Sequence, residues 1–114
     1  MSIYNPGDIV LVNFPFTDLS SYKVRPALII ATKGEDAIVI GIFSNVPDFL
    51  KDSWIVIEES SPYFKQMGLK KRSVIKTEKI ATIHNSVIKA KIGAISSEAM
   101  REIKSTLIKT LALN

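Results

Sequence analysis

The chain has 114 residues, 46% of them hydrophobic and 23% charged, with a formal net charge of +4. That composition suits one soluble domain, residues 1–114, around one core. With no cysteine and a single histidine, His84, the chain excludes a disulfide framework, a thiolate metal site and a multi-histidine metal site.

The opening MSIYNPGDIV lacks a basic region followed by a long apolar run, so no signal peptide is expected. The apolar runs near 27–31 and 37–43 are too short to span a bilayer. A cytoplasmic protein with no membrane partner is therefore expected, which the absence of cysteine also suits.

Asn5-Pro6-Gly7 is a turn signal, and Asp8 to Phe14 alternates as a first strand. Residues 15–24 form a long polar connection, which length alone marks as a functional loop or a mobile one. Pro26, lacking an amide donor, suits the first residue of a strand, with Arg25 extended at its mouth. Ala27 to Ile30 reads as a strand buried on both faces. Thr32 to Asp36 is a hairpin turn, and Ala37 to Phe43 is a further apolar strand. Gly41 within it suggests a bulge or a close backbone approach. Ser44 and Asn45 end that strand with polar side chains, and a loop runs to about Lys51.

Asp52 to Ile57 reads as a strand whose Trp54 is expected to pack in the core or at a dimer contact. The segment 58–62 resembles a helix start, with serine at the cap and Pro62 at the first position. A short helix over Tyr63–Met67, stopped by Gly68, should follow. Ser73 to Thr82 alternates, placing Lys76, Glu78 and Thr82 on one face. Val87 to Ile95 is a last strand. Ser96 caps a terminal helix with Glu98 in its first turn, and Met100, Ile103, Leu107 and Leu111 form its apolar stripe. Five or six mostly antiparallel strands and one long helix suggest a small curled sheet or barrel.

Charge is unevenly spread. Lys65, Lys70, Lys71, Arg72, Lys76, Lys79, Lys89 and Lys91 share one window with a single acid, Glu78. Such a field attracts polyanions, of which nucleic acid is the commonest, or it serves only as a solvated face. No phosphate-binding glycine loop, zinc spacing or nucleophile elbow is present, and His84 has no obvious serine partner. What remains is a polar set: Arg25, Ser44, Asn45, Lys76 and Glu78. Around a phosphodiester these residue types permit binding, or metal-free RNA cleavage by a base, an acid and a cation.

In order, the chain shows GDIVLVNF, a loop, RPALII, an apolar strand with a polar end, and SVIKTEKIATI before a last strand and helix. That order resembles the MazF/PemK family of toxins over nearly the whole chain. The resemblance implies an SH3-like β-barrel, a curled antiparallel sheet with a short internal helix and a C-terminal helix, that forms a homodimer. It implies sequence-specific cleavage of single-stranded RNA (mRNA) without metal or other cofactor, leaving a 2′,3′-cyclic phosphate and a 5′-hydroxyl. It also implies a cognate antitoxin that blocks the site and brings DNA binding to the complex.

By position, Arg25 matches the family's acid–base and phosphate-contacting arginine, and Glu78 a position where members carry an acid. Lys76 falls where some members carry arginine. The family's strand commonly ends in a threonine-serine pair, and here the pair is Phe43 and Ser44. Ser44, or Thr17 from the first loop, would supply the missing hydroxyl. Ala81 stands where many members have arginine. The implied catalytic set is thus Arg25, Ser44 and Glu78, with RNA contacts from Thr17, Lys23, Asn45, Lys70, Lys71, Arg72 and Lys76. The alternative is a fold member of weak or no activity that binds RNA or a protein target such as gyrase.

Overall fold

Alternation of apolar side chains along the strands decides the architecture, because successive residues point to opposite faces. The computed structural model describes residues 3–15 and 22–113. It contains β1 (Asp8–Pro15), β2 (Tyr22–Lys33), β3 (Asp36–Phe43), β4 (Trp54–Ile57), β5 (Ser73–His84), β6 (Ile88–Ala94) and one helix, α1 (Ser97–Thr110). The strands form a six-stranded sheet in the order β4-β5-β3-β2-β1-β6, every pairing antiparallel. Register shifts interrupt the β1–β6, β2–β3 and β3–β5 ladders. Irregularities of this kind bend strands and strengthen twist, so they curl the sheet. Among the described residues β4 does not pair with β6, and the sheet remains open.

Both faces are covered. Ile9, Leu28, Ile40, Ile42 and Ile75 enter one cluster, which Met67, Leu69 and the α1 residues Ala99, Met100 and Ile103 complete. Val10, Val12, Ala27, Ile29 and Val39 enter a second, with Phe14 and Ile88. Neighbours along β2 and β3 feed opposite clusters, which is why those strands read as unbroken apolar runs. Ser96 accepts from the Ala99 amide and caps α1, with Glu98 in the first turn, as the sequence predicts. Leu107 is half-buried, but Leu111 lies past the helix end and is 44% exposed, so it drops out of the stripe.

Several boundaries differ from the sequence reading. Strand β2 begins at Tyr22, so Arg25 sits inside it, opposite Val12. Pro26 is likewise interior, opposite Leu11. It is tolerated because the ladder to β3 starts only at Ala27, leaving Pro26 on a locally free edge. The expected helix over Tyr63–Met67 shrinks to a 3-10 turn, Lys65–Met67, whose N-cap is Phe64 with no side-chain cap. The serines lie too early in the chain to cap it. Gly68 does terminate it, at φ 72°, and a side chain there would collide with the Ile92 carbonyl. His84 has a serine neighbour after all: Ser86 Oγ lies 2.8 Å from Nδ1, and the Ser86 amide donates to the same nitrogen. This pair caps the turn Asn85–Val87.

Candidate functional site

Where β2 runs on past its β3 partner, a pocket of about 430 Å³ opens. Its floor is apolar, from Leu11, Pro26, Ile42, Leu69 and Ile92, and Lys23, Arg25, Lys70, Lys71 and Ser44 also line it. Arg25 and Lys23 come from β2, Ser44 from the residue after β3, and Lys70 and Lys71 from the segment before β5. The fold therefore gathers cations from distant parts of the chain around one apolar cleft, a setting that favours an anion carrying an apolar group.

Beside the pocket stands a second cluster, built on aromatic rings. The Arg25 guanidinium lies over the Phe43 ring, Cζ 4.6 Å from its centroid. Lys76 Nζ lies 4.6 Å from the same centroid and 4.4 Å from that of Trp54. Lys51 Nζ approaches Trp54 at 5.5 Å. Cations over ring faces are attracted by the negative quadrupole there. Lys76 pairs directly with Trp54 across β4 and β5, which sets their contact. Burial lowers the Lys76 pKa, and the neighbouring charges of Lys79, Arg25 and Lys51 lower it further, against the opposing pull of Glu78.

Glu78 shares the β5 strand with Lys76 but does not line the pocket. Its Oε1 accepts from Ser53 Oγ at 2.8 Å, and Trp54 Nε1 donates to both carboxylate oxygens, at 3.1 and 2.9 Å. Burial alone would raise its pKa, yet those hydrogen bonds hold the carboxyl below its usual value. Glu78 is thus a charged acceptor tied to its neighbours. Trp54 belongs to neither apolar cluster and is half-buried, so of its two expected places, core or dimer contact, the structure removes the first.

The sequence-predicted residues divide accordingly. Arg25, Ser44, Lys23, Lys70 and Lys71 converge on one pocket. Lys76 stands beside it on the aromatic rings. Arg72 points elsewhere: its Nε donates to Glu58 at 2.8 Å and its amide to Glu59. Asn45 is exposed and does not line the pocket. Thr17 lies outside the described residues. The basic window divides likewise, since Lys91 pairs with the buried Asp8 at 3.1 Å. Sequence reasoning missed Ser53 and Trp54 as partners of Glu78. The alternation of β5 places Glu78 and Lys76 on one face, but the partners sit 24 and 25 residues away in the chain. Among the described residues no group of His, Asp or Glu side chains could hold a metal ion.

The family model for PemK-like, MazF-like toxins of type II toxin–antitoxin systems matches residues 5–111. A comparison with curated protein sequences returns no match. Solved structures similar in fold include an endoribonuclease in complex with its cognate antitoxin from a mycobacterial species, at TM-score 0.73 and 16% identity, covering 97% of each chain. The Mycobacterium tuberculosis toxin MazF-mt6 is similar at TM-score 0.70 and 16% identity, covering 94% of this chain and 98% of that one. The MazE–MazF complex of Deinococcus radiodurans is similar at TM-score 0.72 and 12% identity, covering 100% of each chain.

Proposed function

Because the chain belongs to the PemK-like, MazF-like toxin family of type II toxin–antitoxin systems, we propose that it is an endoribonuclease that cuts single-stranded RNA at specific sequences without a metal ion. One observation carries this reading: Arg25 and Ser44, far apart in the chain, line the same apolar-floored pocket as Lys23, Lys70 and Lys71. A nucleotide offers a flat apolar base and a charged phosphate, and the pocket provides for both.

On this reading the 2′-oxygen of a ribose attacks its own 3′-phosphorus and the bond to the 5′-oxygen breaks. The proton lost from the 2′-hydroxyl is balanced by one gained at the 5′-oxygen. The products carry 2′,3′-cyclic phosphate and 5′-hydroxyl ends. Arg25 is the cation that stabilises the crowded phosphate, and its planar fork suits two phosphate oxygens at once. Ser44 donates a hydrogen bond to the same group. Lys23, Lys70 and Lys71 neutralise flanking phosphates. Glu78, the acid the resemblance expected at the reaction centre, serves better as the acceptor that fixes Trp54.

A cognate antitoxin would block this pocket, and a homodimer would place two such pockets on one particle. The MazE–MazF and mycobacterial complexes, similar in fold, support an antitoxin partner. The test is incubation of the purified protein with a long single-stranded RNA in excess EDTA, with product ends mapped, beside Arg25→Ala. Site-specific cuts with cyclic phosphate ends, absent in the variant, are expected. Intact RNA with the wild-type protein at high concentration would overturn the reading in favour of a non-catalytic binder.

A further inference from the structure

Phe43 stands where the resemblance expects a threonine, and its surroundings are unlike those of an ordinary core ring. It is half-buried at the end of β3, one step before Ser44. Arg25 and Lys76 both lie over it, each 4.6 Å from the centroid. Phe14 meets it edge to face, with centroids 6.2 Å apart and planes at 82°. The ring also occupies space that only a glycine at position 41 leaves open. A Cβ on Gly41 would come within 2.7 Å of the Phe43 ring and 3.2 Å of Phe14. The ring is therefore boxed by Phe14 and by the bare backbone of β3, and two cations rest on it.

We propose that Phe43 is a positioning residue whose ring seats Arg25 and Lys76 as a fixed pair of cations beside the pocket. The proposal rests on the ribonuclease reading for its consequence, but not for its geometry. Arginine and lysine carry long side chains whose order is lost when they are free in solvent. Attraction to the ring face holds them in place without neutralising them, as a carboxylate would. Their mutual repulsion, which contributes to lowering the Lys76 proton affinity, is relieved when a phosphate arrives between them and solvent. The missing threonine is thus replaced by a different device: orientation of the guanidinium by an aromatic seat.

The experiment compares wild type, Phe43→Leu, Gly41→Ala and the double variant. Two readouts are used: steady-state cleavage of a short RNA containing a mapped site, and proton NMR of the Arg25 and Lys76 side chains. Ring-current upfield shifts of the Arg25 δ protons are expected in wild type and lost in Phe43→Leu, whereas those of the Lys76 ε protons, which also lie over Trp54, should fall only in part. The kcat of Phe43→Leu should fall about tenfold, the size of a lost cation–π pair, with KM changed less than twofold. Gly41→Ala keeps the ring but displaces it, so it should show a similar loss, and the double variant should be no worse than either single one. Phe43→Thr should be slower than wild type, not faster. Wild-type kcat in Phe43→Leu, or unchanged side-chain shifts, would overturn the proposal. If Phe43→Leu fails to fold, Gly41→Ala decides by the same readouts. If wild type cuts no RNA, the ribonuclease reading is what fails. The side-chain shifts then decide alone: their loss at Arg25 in Phe43→Leu upholds the seat, and unchanged shifts overturn it.

Discussion

At the scale of single residues, Arg25 and Glu78 separate into different kinds of work. Arg25 lines the pocket and rests on Phe43. Arg25 belongs to neither apolar cluster, so the folding cost of Arg25→Ala should stay near 1 kcal/mol in urea titration. Its cleavage rate should fall by roughly 100-fold or more, the scale of a lost transition-state cation. Glu78→Gln should slow cleavage less than Arg25→Ala, because the carboxylate touches Trp54 and Ser53 and not the pocket. An equal or larger loss would return Glu78 to the reaction centre. Its titration is directly visible, since Trp54 is the only tryptophan and donates to it. A carboxyl held below its ordinary 4.5 in the folded state contributes stability that is present above that value. The contribution is lost as pH falls through the folded pKa. A step in Trp54 fluorescence with a midpoint below pH 4.5, absent in Glu78→Gln, is therefore expected.

At the scale of elements, two end residues act on different segments: Gly68 on one that frames the pocket and Ser96 on one that does not. Gly68 ends the 3-10 turn in a left-handed conformation and brings Leu69, Lys70 and Lys71 to the pocket. Gly68→Ala meets both an unfavourable φ and the Ile92 backbone, so a loss of about 2–4 kcal/mol is expected from denaturant midpoints. Cleavage should fall with it, since Lys70 and Lys71 depend on that turn. Ser96 plays the matching part for α1, and Ser96→Ala should cost about 1 kcal/mol of stability. The helix packs on the sheet through Ala99, Met100 and Ile103, none of which lines the pocket. Ser96→Ala should consequently leave kcat unchanged at temperatures well below Tm.

At the scale of the whole molecule, the net charge of +4 matters less than where the charges end up. Arg72 and Lys91 carry the same formal charge as Lys70 and Lys71 but are committed to Glu58 and Asp8. Binding of single-stranded RNA weakens with salt at about 0.7 log units per log unit of salt for each phosphate neutralised. Replacing Lys70 and Lys71 by glutamine together should lower that slope by about 1.4, while Arg72→Gln should lower it by clearly less than about 0.7. Filter retention across a salt series measures both. An equal drop per charge removed, about 0.7 for Arg72→Gln as for each lysine, would mean that the basic window acts as an undifferentiated field.

Local chemistry was enough to read much of this protein. The apolar runs of β2 and β3, the cap at Ser96, the stop at Gly68 and the ordered motifs that mark the family are properties of neighbours along the chain. Hydrophobic period, capping and turn preference act over a few residues and need no partner. Arg25 and Ser44 were also legible as a pair, through the resemblance. The length of β2, the edge that tolerates Pro26, the loss of the helix at Tyr63–Met67 and the exposure of Leu111 were decided by strand pairing and packing. So was the division of the cations into a pocket and a scaffold. Glu78 finds Trp54 and Ser53, and Phe43 finds Gly41's open space, Arg25 and Lys76, only because β2, β3, β4 and β5 are brought side by side. Side-chain attraction falls off within a few ångströms, so such partnerships exist only after register has brought distant residues together.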